Sequence, residues 1–172
     1  MQHRATPSAT ALLVCALPLF APITLAPIAF AAFAVAAIAC TPVAAWAADV
    51  PATLTGTSLA TADDVTKLTA AKAVLVDARV ASEYADGHIK GAISIPYREK
   101  SDKSVTFDAS ADEFNLAKLP ADKATAIVMY CNGPDCWKSF KASTVAAKAG
   151  YTNIYWYRAG FPDWKAKGLP IE

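Results

Sequence analysis

The sequence predicts an α/β fold with a parallel sheet covered by helices. Short β-rich runs alternate with helical patterns along the chain, the runs are apolar without alternation, and each is bounded by turn residues. The strand candidates are Ala73 to Asp77, Ala92 to Ile95, Ala126 to Tyr130 and Asn153 to Tyr157, with a poorer edge candidate near Leu54 to Ser58. Ala62 to Lys72 reads as a helix opened by Thr61, with Asp63 and Asp64 favourably placed in its first turn. Ala81 to Asp86 reads as a shorter helix ended by Gly87. Residues 98 to 110 are polar and aperiodic, the pattern of a loop, and a helix is expected from Ala111 to Leu119, where Pro120 stops it. The strongest helical pattern runs from about Cys136 to Ala149, with Gly150 just beyond its end.

Composition divides the 172 residues into two unlike segments. Residues 1 to 47 hold 34 apolar residues and a single charge, Arg4. The remaining 125 residues are 48% apolar and 24% charged, ordinary values for a folded domain. Their 15 basic and 15 acidic side chains balance, so no global field favours nucleic acid or an anionic membrane surface. The first segment has the pattern of a signal peptide. His3 and Arg4 give a weak basic start, residues 11 to 40 are uncharged, and Ala45-Trp46-Ala47 presents small residues at a cleavage site after Ala47. An uncleaved membrane anchor is the alternative, since the apolar stretch is long, although Pro18, Pro22 and Pro27 leave only Ile28 to Cys40 uninterrupted. Lipid attachment at Cys40 is a weaker third reading. Export, to a bacterial periplasm, and one domain over residues 48 to 172 are therefore expected.

Cleavage would remove Cys15 and Cys40 and leave one pair, Cys131 and Cys136, with one histidine, His88. A pair so close in sequence closes too small a loop to staple a fold, but in an oxidising compartment two neighbouring thiols are reactive partners. Ala126 to Tyr130 runs directly into Cys131-Asn132-Gly133-Pro134-Asp135-Cys136-Trp137-Lys138-Ser139, which runs directly into the long helix. A cysteine at the carboxyl end of a parallel strand, before a tight loop and a helix N-terminus, lies where α/β proteins place reactive groups. Loop amides and the helix dipole there lower a thiol pKa and stabilise a bound anion. Gly133 permits the inward turn and Pro134 stiffens it.

In this setting the chain resembles a rhodanese domain. Val74-Leu75-Val76-Asp77-Ala78-Arg79, Glu83-Tyr84, and the run from Gly87-His88-Ile89 through Gly91 and Ala92 to Pro96 match the family's first two segments. Tyr130-Cys131 begins the active-site loop, and Ala159-Gly160-Phe161-Pro162-Asp163-Trp164 through Gly168-Leu169-Pro170 resembles the C-terminal signature. The ordered match covers roughly residues 58 to 172. It implies a rhodanese-like three-layer fold, a five-stranded, mainly parallel sheet flanked by helices on both faces. It also implies a loop cysteine, here Cys131, that takes sulfane sulfur as a persulfide and passes it to a thiol or cyanide-like acceptor, with no cofactor.

The family's loop often carries an arginine for the anionic donor, whereas no arginine lies between Cys131 and Ser139. The loop is instead similar to a subgroup with Cys-x-Gly-Pro-x-Cys followed by Trp. Lys138 either supplies the charge or is a solvated helix residue. Cys136 either resolves the persulfide to a disulfide or packs the first helical turn. Asp77 and Arg79 are expected as a supporting buried ion pair and His88 as a structural turn residue rather than a base. Trp137, Trp156, Phe161 and Trp164 read as core, with Trp137 also a candidate pocket wall. A structural zinc site would need a fourth ligand beyond Cys131, Cys136 and His88. Phosphatase chemistry on a related scaffold needs an arginine where Trp137 stands. A non-catalytic sulfur-binding or thiol-redox module that serves an exported redox protein is the competing function, with residues 98 to 110 as its docking surface.

Overall fold

The computed structural model describes residues 49 to 172. The leader, its cleavage site and Cys40 lie outside the described residues; among those described, no helix is long and apolar enough to cross a membrane.

Five parallel strands form one sheet, β1 (Ser58–Leu59), β2 (Val74–Asp77), β3 (Ile93–Ser94), β4 (Ile127–Tyr130) and β5 (Ile154–Tyr157), in the order β1-β5-β4-β2-β3. The three central strands are apolar in succession because both faces are covered. Val76, Ile127, Met129, Ile154 and Trp156 pack on one face against Phe140, Ala142 and Ala146 of helix α3 (Trp137–Lys148). Leu75, Val128, Tyr130 and Tyr157 pack on the other against Val65 of helix α1 (Ala62–Ala70) and Trp164. Helix α1 is opened by a capping box in which Thr61 accepts from the Asp64 amide while Asp64 accepts from the Thr61 amide. The short helix α2 (Ala81–Ala85) buries nothing and serves as a connection.

The structure departs from the sequence expectations at three places. No helix spans 111 to 119; one turn of 3-10 helix, Leu116–Lys118, stands there. The Asp112 carboxylate is instead drawn into tertiary bonds with Lys100, Ser101 and Tyr97, and Glu113 pairs through its backbone with Arg98. Conversely, Gly160–Ala166 forms a helix, α4, that was read only as a signature. The edge strand is only Ser58–Leu59 and shares a single residue, Ser58, with the expected Leu54 to Ser58.

Parallel register places the carboxyl ends of the central strands side by side, with Asp77 opposite Tyr130 and Tyr130 opposite Tyr157. The residues that follow, Ala78, Cys131 and Arg158, therefore emerge together at one edge of the sheet.

Candidate functional site

Cys131 leaves β4 at this edge and is nearly fully buried. Its sulfur is joined to that of Cys136 in a disulfide, with the Cα atoms 6.3 Å apart. The loop turns at Gly133 (φ 125°) and closes through a bond from the Cys136 amide to the Gly133 carbonyl. Cys136 then stands as the N-cap of α3 without offering a side-chain bond to the helix. The amides of Asn132, Gly133, Asp135, Trp137 and Lys138 meet no acceptor among the described residues. Unpaired N–H groups before and within the first turn of a helix are suited to bind an anion.

The other expected residues divide by position. Asn132 is exposed and donates to the Glu83 carboxylate (2.6 Å), while Pro134 and Asp135 face solvent. Lys138 is half-buried on the first turn of α3 and does not line the cleft described below. Trp137 is core: it stacks edge-on against Phe140 and does not wall that cleft. The Ser139 hydroxyl is buried and accepts from the Trp156 indole N–H.

Asp77 and Arg79 form a buried pair in which the guanidinium reaches both carboxylate oxygens and also the Gly87 carbonyl. Burial acts to lower the Arg79 pKa, but the hydrogen bond and charge of Asp77 outweigh it and the pKa rises. Above the same guanidinium, 4.2 Å from its carbon, lies the Phe161 ring, and the Phe161 amide donates to the Cys131 carbonyl (2.8 Å). The pair thus fixes α4 against the cysteine loop. His88 sits away from this line, stacked on Tyr84 and paired through its backbone with Glu172. Among the described residues no group of three or more His, Cys, Asp or Glu converges as a metal site would require.

Beside the loop opens a cleft of about 660 Å³ whose wall includes Asn132, Gly133, Pro134, Tyr157 and Arg158. Arg158 and the close approach of Gly160 to the loop were not singled out from the sequence. Counting one residue past each apolar strand would have placed Arg158 beside Cys131.

A parallel sheet with a cysteine loop at its carboxyl edge defines an α/β protein whose site is built around one thiol pair. Residues 61–167 match the model of the rhodanese-like domain, and the chain belongs to that family. It is 35% identical over 103 residues to an HTH-type transcriptional regulator of Mycobacterium tuberculosis, a match that covers 60% of this chain and 39% of the regulator. It is 26% identical over 97 residues to chloroplastic thiosulfate sulfurtransferase 16 of Arabidopsis thaliana, covering 56% of this chain and 78% of that protein. Among solved structures, a thiosulfate sulfurtransferase of Pseudomonas aeruginosa shares 26% identity with a TM-score of 0.51, over 67% of this chain and 20% of the other. The chain thus spans well under half the length of the first and third of these relatives.

Proposed function

We propose that the chain is an exported sulfurtransferase in which Cys131 carries sulfane sulfur. The observation that carries this reading is the position of Cys131, buried at the end of the central strand where a loop with unpaired amides begins. The sulfurtransferases named above lend the substrate class. The composition of residues 1 to 47 supports export, to the periplasm of a bacterium, by a leader that is cleaved.

The cycle begins with reduction of the disulfide by an external dithiol, for which the more exposed Cys136 sulfur is the accessible point of attack. The liberated Cys131 thiolate attacks the outer sulfur of a donor; a new S–S bond forms, the donor's bond breaks, and its electron pair departs with the leaving group. A cyanide or thiol acceptor then takes the outer sulfur and restores the thiolate. Where no acceptor arrives, the Cys136 thiolate attacks the Cys131 sulfur, expels hydrosulfide and reforms the disulfide. The disulfide between the two cysteines, with their Cα atoms 6.3 Å apart, supports this internal step.

The test is mass spectrometry of the reduced protein after exposure to thiosulfate, a thiosulfonate or polysulfide. The expected result is one added sulfur atom on Cys131, released by cyanide and absent from Cys131→Ser. Failure to load with every donor would overturn the reading. In Cys136→Ser the loaded persulfide is expected to survive about tenfold longer without an acceptor, since the internal resolving attack is gone. Equal lifetimes would remove the resolving role. The disulfide also favours a second reading, a thiol-redox module that exchanges electrons with another exported protein. Rapid dithiol exchange in a protein that never loads sulfur would establish that reading instead.

A further inference from the structure

We infer that Arg158 is the donor-binding cation, supplied by strand β5 in place of the arginine absent from the cysteine loop. The inference rests on the sulfurtransferase reading and narrows it to donors whose leaving group is an anionic sulfite or sulfinate, such as thiosulfate and thiosulfonates.

Three observations combine. Pairing of Tyr130 with Tyr157 makes Arg158 the lateral neighbour of Cys131 at the carboxyl edge of the sheet. Arg158 and the loop residues Asn132, Gly133 and Pro134 line the same cleft. Its guanidinium is held but not neutralised: Nε donates to the Pro51 carbonyl (3.2 Å) and Nη2 to the Val50 carbonyl (3.0 Å), both uncharged acceptors. Among the described residues no carboxylate pairs with it, and Nη1 has no acceptor. The other cation of the cleft, Lys167, is occupied by both carboxylate oxygens of Asp163 at 2.6 Å. Arg158 is therefore the uncompensated positive charge in the wall, fixed along one edge with its remaining N–H groups available in a planar fork that suits an oxyanion.

The charge acts where the reaction needs it. As the Cys131 thiolate attacks the outer sulfur of thiosulfate, the new S–S bond forms, the donor's S–S bond breaks, and the electron pair leaves on sulfite; no proton is required. Negative charge moves onto the departing group, and a guanidinium facing it stabilises both the bound dianion and the leaving sulfite.

The test is thiosulfate binding by calorimetry at low ionic strength in a Cys131→Ser background, where no sulfur can transfer. Arg158→Gln is expected to weaken binding about tenfold or more, and Arg158→Lys by only a few-fold, since it keeps the charge and loses the fork. Lys167→Gln, which deletes an equal charge from the same cleft, is expected to change affinity less than about twofold. Thermal unfolding of each variant identifies any loss that comes from misfolding, and Arg158→Lys preserves the anchor to the 50–51 carbonyls. With Cys131 present, Arg158→Gln is expected to raise KM for thiosulfate by the same factor while it leaves loading from an alkyl hydropersulfide, which hands over its terminal sulfur and releases a thiolate with no oxyanion to bind, within about twofold. Unchanged affinity in Arg158→Gln, an equal loss in Lys167→Gln, or no thiosulfate binding at all would overturn the inference. If Arg158-dependent binding is found but Cys131 loads from no donor, the anion site stands and sulfur transfer falls.

Discussion

Gly160→Ala is expected to lower kcat/KM for sulfur transfer about 100-fold, although the substitution adds a single methyl group at a position that is not itself a reacting group. Gly160 opens helix α4 with φ +69°, and a Cβ there would lie 2.7 Å from the Gly133 amide nitrogen and nearer still to the Cys131 carbonyl oxygen. Both are backbone atoms of the loop, so no side chain can swing aside to relieve the contact. Either α4 withdraws, breaking the bond from the Phe161 amide to the Cys131 carbonyl, or the loop shifts and carries Cys131 with it. A displacement of about 1 Å in a site of this kind costs about two orders of magnitude in rate. Gly168→Ala separates this effect from backbone strain. Gly168 has a similar φ of +64°, but nothing lies within 4 Å of its Cβ position, so only the left-handed cost of about 1 to 2 kcal/mol applies. Melting temperatures and steady-state kinetics of the two variants check the expectation: both melt lower, and only Gly160→Ala loses activity. Equal activity in the two would show that the contact between α4 and the loop does not position the cysteine.

This coupling marks the boundary of what the sequence discloses. Strands β2, β4 and β5 fall within one residue of their expected limits because each is a short apolar run buried on both faces, a signal that needs no knowledge of neighbours. The cysteine loop and α3 are legible for a similar reason, since strand, Gly-Pro turn and helix follow each other without a gap. What failed depends on distant partners. Ala111 to Leu119 has helical character, yet four hydrogen bonds to the Asp112 carboxylate come from residues 97 to 101, and their combined pull exceeds a local preference of tenths of a kcal/mol per residue. Helix α4 was hidden by Pro162, which suggests a loop but in the first helical turn forfeits no intrahelical bond. Arg158 looked like one surface charge among 31 until strand register placed it beside Cys131. Local pattern therefore located the cysteine loop, whereas the groups that hold and charge its surroundings follow from pairing across the sheet.

Lys141→Met is expected to destabilise the domain by about 3 to 5 kcal/mol, a fall in Tm of about 10 to 15 °C, because it strands two carboxylates. The Lys141 side chain is fully buried on α3, with its ammonium 2.8 Å from Glu99, 3.6 Å from Asp112 and bonded to both the carbonyl and hydroxyl oxygens of Ser101. Methionine matches the length of the stem but leaves Asp112 buried without a cation, and an uncompensated buried charge costs more than the pair gains. Residues 98 to 110, expected from the sequence as a docking surface, are thereby clamped through Glu99 and Ser101, together with Asp112, to the helix that begins at the cysteine loop. Lys148→Met is the control: exposed on the same helix, it is expected to shift stability by less than about 0.5 kcal/mol. The clamp also sets an acid limit. Burial tends to raise the Asp112 pKa, but hydrogen bonds from Ser101, Lys100 and Tyr97 prevail and hold it well below the usual aspartate range. A carboxyl with a depressed folded-state pKa adds stability above its unfolded value, and that stability drains as pH falls below about 4 toward the folded value. Asp112→Asn is accordingly less stable than the parent at pH 7, and the gap between them narrows as pH drops below about 4. Urea denaturation at pH 7 and pH 3 measures both terms; a gap that is constant with pH, or a Lys141→Met variant as stable as Lys148→Met, would show that the clamp carries no charge energy.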